Sequence, residues 1–140
     1  MSSQTLFMTD LDQVRLRTLS RRLISAPGGS RDTGLDLDEL LDNAQVVPAS
    51  TIAGDVVTMN SSMLCEGGPF GPEGRALTLV YPERADAGSG RISILSPLGR
   101  ALLGARAGDT VAVETPGDGV QRVRVREIRY QPEADGNWLL

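Results

Sequence analysis

The chain of 140 residues contains no histidine and no lysine. Without histidine, Ser-His-Asp catalysis, histidine general bases and most zinc sites are excluded. All 14 basic residues are arginine. Schiff-base chemistry and Walker-type phosphate loops both need a lysine, so they are excluded too. The single cysteine, Cys65, rules out an internal disulfide and an all-cysteine metal site. No apolar run reaches the roughly 18 residues of a membrane span. The opening MSSQTLFMTD lacks the basic and apolar regions of a signal peptide, so a cytoplasmic protein is expected. There are five aromatic residues: Phe7, Phe70, Tyr81, Tyr130 and Trp138. Net charge is −4, which argues against direct nucleic-acid binding, because that affinity comes largely from neutralised phosphates.

What is present is a 40% hydrophobic chain, enough for one core and an appendage. Leu11, Val14, Leu19 and Leu23 recur near helical spacing up to Ser25, with a capping box of Asp10 and Gln13. The stretch Ala26 to Gly34 reads as a breaker. A second helix is expected from Leu37 to Val46, with Leu37, Leu40, Leu41 and Ala44 on one face. Asp36 and Glu39 form its capping box and Pro48 its stop. Two short helices joined by a polar loop predict an antiparallel hairpin. The first would be about 22 Å long at roughly 1.5 Å rise per residue.

From Asp55 the pattern is β. The sequence predicts a strand at Asp55–Met59, a Gly/Pro-rich loop from Cys65 to Gly74, and a central strand from Ala76 to Tyr81. Ile92 to Gln131 then reads as a strand, a short helix and a hairpin. Ser96 is the N-cap, Pro97 fits the first helical position, and Gly104 closes the end. Leu98, Leu102 and Leu103 form the apolar face of that helix. Val111 and Val113 alternate with polar neighbours, Pro116 to Gly119 turns the chain, and Val123 and Val125 alternate on the return. The apolar phase shifts at Glu127-Ile128, which predicts a β-bulge or a bend. Trp138-Leu139-Leu140 is apolar enough to dock back. The fold class is therefore α+β: a short N-terminal helical hairpin over 1–48, then a mostly antiparallel, bent sheet with one short helix over 49–140.

The motifs Ile92 to Gly104 (ISILSPLGRALLG), Gly108 to Val113 (GDTVAV) and Thr115 to Gly119 (TPGDG) resemble the C-terminal domain of the Gre transcript-cleavage factors. Asp55 to Ser61 (DVVTMNS), Thr78 to Pro82 (TLVYP), Tyr130 to Glu133 (YQPE) and the DGNWLL ending are similar to a narrower group, the regulator of nucleoside diphosphate kinase family. The resemblance covers about Leu37 to Leu140. It implies an FKBP-like domain that docks on RNA polymerase beside the secondary channel, with a coiled-coil hairpin inserted. It implies a transcription regulator that competes with Gre factors, acts as a monomer, and has no catalytic residues, metal or cofactor of its own. The docking edge would be Leu95, Ser96, Pro97 and Arg100, and the hairpin tip Arg31, Asp32 and Asp36. Two features depart from the cleavage factors: the hairpin is too short for a tip to reach the polymerase active site, and Leu95 stands where they carry an acid.

Each feature also has a plainer explanation. Asp36 and Glu39 serve as caps, and Asp38 complements the helix dipole. Ser96-Pro97 starts a helix, and the Arg122, Arg124, Arg126 stripe is a solvated strand face paired with acids such as Glu114. Cys65 has no basic neighbour in sequence and reads as a bystander. Two other functions stay open. One is a cleavage stimulator whose tip carboxylates complete a polymerase metal site. The other is an FKBP-like prolyl isomerase or peptide-binding module, for which the aromatic residues are few.

Overall fold

The computed structural model describes residues 6–28, 30–115, 117 and 119–136. The chain divides into two compact units, 1–52 and 53–140.

In the first unit, strand β1 (Leu6–Thr9) leads directly into helix α1 (Asp10–Ser25). A short loop then enters helix α2 (Arg31–Asp42), which is followed by strand β2 (Ala44–Val47). The N-cap of α1 is Thr9, whose hydroxyl accepts from the Asp12 amide at 3.0 Å. The expected Asp10/Gln13 box is therefore displaced by one residue. Asp10 instead accepts from the Leu11 amide at 2.9 Å and from the Ala49 amide at 3.3 Å. The buried stripe of α1 is Asp12, Leu16 and Ser20, while Val14 is 63% exposed. Leu11, Leu19 and Leu23 are half-buried beside that stripe, two of whose positions are polar, so only Val14 of the four recurring residues is left exposed.

Helix α2 starts six residues before its expected beginning, at Arg31, so Asp36 and Glu39 lie inside it and not at its start. Gly34, the last residue of the expected breaker, is instead a helical residue at a close approach. A Cβ there would lie 2.9 Å from both Leu23 Cβ and the Ser20 carbonyl oxygen. Asn43 ends the helix, and the segment up to Pro48 is strand rather than helix. β1 and β2 pair in parallel, Leu6 opposite Ala44 through Thr9 opposite Val47. No local sequence signal announces this pair, because each strand has only four residues.

Arg17 ties the two helices together. Its guanidinium bonds Asp38 at 2.6 Å and Asp42 at 3.0 Å, and the Ser20 hydroxyl donates to Asp38 at 3.0 Å. The hydrogen bond from Arg17, reinforced by Ser20, holds the Asp38 carboxyl below the usual carboxylate range. A depressed folded-state pKa contributes stability above the unfolded value and loses it as pH falls through the folded one. Acidification below the ordinary aspartate range should therefore loosen this helical pair. Arg17→Gln should move the acid-induced loss of helical circular dichroism to higher pH.

The second unit is built on a five-stranded sheet of β3 (Ser62–Glu66), β4 (Arg75–Val80), β5 (Arg91–Ser93), β6 (Thr110–Thr115) and β7 (Gly119–Tyr130). Its order is β5-β4-β3-β7-β6, antiparallel except for β4 with β5. One short helix, α3 (Pro97–Leu102), follows β5. The expected strand at Asp55–Met59 is not in the sheet. Val56, Val57, Thr58 and Met59 are all buried, and the segment pairs outside the sheet, with Val56 opposite Arg106 in an antiparallel bridge. Val57 bonds Ala105 O and Gly104 N instead. The strand begins at Ser62, after a turn in which Asn60 takes φ +67. Cys65 thus lies in the central strand, not in a loop. It is fully buried, and that burial pushes its thiol up to about 12.

β7 carries two register shifts against β3, which leave Arg129 and Arg126 as extra residues on either side of Glu127-Ile128. These bulges are the phase change seen in the sequence, and they curl the sheet. Arg124 and Arg126 both pair with Glu66 of β3, not with Glu114, and Arg126 also donates to Pro72 O at 2.8 Å. Arg126 first, and Arg124 less strongly, hold the Glu66 carboxyl below its ordinary range. The core includes Met63, Leu77, Leu79, Ile94, Leu102, Val123 and Val125. Trp138 and its two neighbours lie outside the described residues.

Candidate docking surface

The bend after β5 is built by hydrogen bonds that its own sequence supplies. Ile94 is fully buried, and its amide donates to Val80 O at 2.9 Å, which anchors the bend to β4. The Ser93 carbonyl accepts from the Ser96 amide at 3.0 Å and from the Ser96 hydroxyl at 2.7 Å. The same hydroxyl accepts from the Gly99 amide at 3.0 Å and caps α3. Ser93 Oγ takes the Leu95 amide at 3.0 Å, and the Arg100 guanidinium reaches back to Leu95 O. Gly104, at φ +81, follows the helix as expected. Leu102 and Leu103 are buried, whereas Leu98 is only half-buried.

This geometry divides the four sequence-predicted docking residues by role. The Ser96 hydroxyl is used twice within the bend, so Ser96 is scaffold. Pro97 is exposed, and Leu95 and Arg100 are half-buried at the same turn. Close behind them lies Gly99, which sequence reasoning did not single out. Its would-be Cβ falls inside the contact radius of Ser93 O, 2.8 Å from the Ser93 carbonyl carbon and 3.0 Å from Ile94 Cα.

The three tip residues are not equivalent either. Helix α1 ends at Ser25 and α2 begins at Arg31, so Arg31 and Asp32 occupy the first turn of α2, while Asp36 sits more than a turn further on. All three are exposed, and Arg31 reaches Ile24 O at 3.5 Å. Among the described residues no three acidic or cysteine side chains come together as a metal site. Nor is any helix among them long and apolar enough to cross a membrane.

A second assembly was legible only as motifs. DVVTMNS and YQPE, far apart in sequence, form one polar clamp. Thr58 Oγ1 donates to Glu133 at 2.6 Å and lies 2.9 Å from Ser61 Oγ. Buried Gln131 donates from Nε2 to Ala53 O and Val56 O, both at 2.8 Å. Through Val57 the clamped segment holds Gly104 and Ala105, just past the end of α3.

Comparison with known proteins agrees with this architecture. Residues 52–130 match the family described as transcription elongation factor, GreA/GreB, C-terminal. The chain is 38% identical, over the whole of both chains, to the regulator of nucleoside diphosphate kinase of Escherichia coli K12. It is 36% identical to transcription elongation factor GreA of Thermotoga neapolitana, over 67% of this chain and 58% of GreA. A solved GreA/GreB elongation factor from Nitrosomonas europaea superposes with a TM-score of 0.70 at 38% identity, covering 91% of this chain and all of that one. The fold is that of the GreA/GreB C-terminal class carrying N-terminal helices. Within that class the chain belongs to the regulator of nucleoside diphosphate kinase family.

Proposed function

We propose that this protein is a transcription regulator that docks on bacterial RNA polymerase at the secondary channel and competes there with Gre-type factors. In this reading the second unit is an FKBP-like docking domain and the helical pair a short coiled-coil hairpin. The protein acts as a cytoplasmic monomer, in two domains meeting near residue 48. The observation that carries the reading is the preformed Leu95–Arg100 bend. It offers Leu95, Pro97 and Arg100 on a rigid turn, within the stretch that matches the GreA/GreB family. A helix of 16 residues extends only about 24 Å, so the tip carboxylates are carried on a short arm. No transcript cleavage is expected from so short a tip.

Competition tests this directly. A labelled Gre factor bound to core polymerase should be displaced by the wild-type protein, followed by fluorescence anisotropy. Pro97→Arg places a long side chain at an exposed first helical position without disturbing the Ser96 cap, and it should weaken displacement about tenfold, the loss of one interface anchor. Failure of the wild type to displace the factor at micromolar protein would refute the docking reading. Cleavage of RNA in a backtracked complex would refute the inert-tip part of it.

A further inference from the structure

The two edges of the five-stranded sheet are built differently. β5 ends one side after only three residues, and its outward backbone is taken, because Asp86 and Arg91 exchange amide bonds at 2.9 and 3.0 Å. β6 ends the other side with six residues. The Val125 amide donates to Asp109 O at 2.8 Å, which fixes the phase of the β6–β7 ladder. Bonded pairs recur at every second residue, so Val111, Val113 and Thr115 bond β7. The amides and carbonyls of Thr110, Ala112 and Glu114 point away from it. Among the described residues none of these outward groups has another hydrogen-bond partner. Open edges are ordinarily blunted by short length, proline, a bulge or several charges. Thr110–Thr115 has no proline, no register shift against β7 and one charge, Glu114. The side chains of Thr110, Ala112 and Glu114 are exposed, and exposed Arg122 of β7 stands opposite Ala112. Arg124 and Arg126 are held by Glu66, but neither Arg122 nor Glu114 has an ion pair among the described residues.

We infer that β6 is a pairing edge for a second copy of this chain. The two β6 strands run antiparallel about a two-fold axis at Val113, and one continuous sheet results. Ala112 then faces Glu114 of the second copy, and their outward amides and carbonyls bond each other. Val113 faces Val113 in a close, non-bonded pair. On the outer face, Arg122, Ala112 and Glu114 of the second copy fall in one row. Only the Ala112 methyl group separates the two unpaired charges, which lie about 10 Å apart at Cα, across two strand spacings. Symmetry makes this ion pair twice. An axis at Ala112 would instead put Arg122 in one row with Arg122 of the second copy, so charge selects the Val113 axis. This surface is distinct from the Leu95–Arg100 turn, which follows β5. A contact of one strand is small, so single copies dominate at the micromolar concentrations of a polymerase assay and pairs form above about 100 µM.

Sedimentation velocity on the full chain, from about 5 µM to about 1 mM, should show a monomer giving way to a dimer. Glu114→Arg and Arg122→Glu should each weaken association about tenfold. Glu114→Arg/Arg122→Glu should restore it to within about threefold of wild type, because exchanging two charges recovers only a contact made between them. Ala112→Pro removes an outward amide without touching the β7 ladder and should abolish association. Circular dichroism verifies that each variant is folded. If the proline variant is not, the charge exchange decides alone. A chain that stays monomeric at about 1 mM would overturn the pairing and leave the edge to a strand of another protein. A dimer indifferent to Ala112→Pro and to both charge variants would be joined through another face, which also overturns it. A charge exchange that fails to restore association would overturn the Val113 register. All of this is read on the protein alone, whereas the docking reading stands or falls on competition at polymerase.

Discussion

Gly99→Ala should cost about 3 kcal/mol and lower the melting temperature of the second unit by roughly 15 °C, from a single added methyl group. Ordinarily alanine is the better helix former by about 1 kcal/mol, so propensity alone predicts a gain. Geometry reverses the sign. The methyl carbon would overlap the Ser93 carbonyl oxygen and press on the Ser93 carbonyl carbon and Ile94 Cα, which are backbone atoms and not the ends of flexible side chains. Ile94 is fully buried and bonded to Val80, so the backbone has no room to retreat. Relief requires α3 to lift away, taking with it the Ser96 cap and the Leu102 and Leu103 anchors. Thermal melting followed by the near-ultraviolet signal of Tyr81 and Tyr130 measures the loss. An unchanged melt would mean that α3 is not seated as described. The same variant should compete poorly for polymerase, because the Leu95–Arg100 turn moves with the helix.

Gly34→Leu should be the comparable lesion in the first unit. Here the obstruction is the neighbouring helix: Leu23 Cβ and Ser20 O at 2.9 Å and Ile24 Cγ1 at 3.0 Å from the added Cβ. The intrinsic benefit of leucine over glycine, about 1 kcal/mol, is outweighed by forcing the helices apart, for a net loss of about 2 kcal/mol. Separation also lengthens the Arg17–Asp38 contact, so the variant should lose helical ellipticity at lower temperature and at higher pH than the wild type. A variant that melts later than wild type would show that propensity, not close approach, decides this position.

These two glycines also mark where sequence reading succeeds and fails. The bend and α3 were legible because every signal there is local: the cap, the proline at the first turn, and the glycine after the last. The bulges of β7 were legible because a bulge shifts the apolar phase of the strand itself. Gly34 misled because its cause is not local. A glycine demanded by a neighbouring helix looks the same in sequence as one that ends a helix. β1 and β2 went unseen because short parallel strands draw their order from each other across more than thirty intervening residues. Asp55–Met59 does pair, but with the segment after α3 and not within the sheet, and no local pattern names that partner. At the candidate docking turn the local signals placed the bend and its cap but not the division of labour within it. The consumption of the Ser96 hydroxyl by Ser93 and Gly99 is visible only in three dimensions.

The position of β7 sets the order in which the second unit is made. The last strand among the described residues lies between β3 and β6, so until it is synthesised both of those strands present open edges, and the sheet exists in two unjoined pieces. Ser62 must wait for Tyr130, and Thr58 for Glu133. Contacts closed over such long sequence intervals slow folding. Chains interrupted before β7 carry unpaired, apolar strand edges of the kind that associate with one another. Only a chain carried through to Glu133 covers the facing edges of β3 and β6 and closes the polar clamp over them.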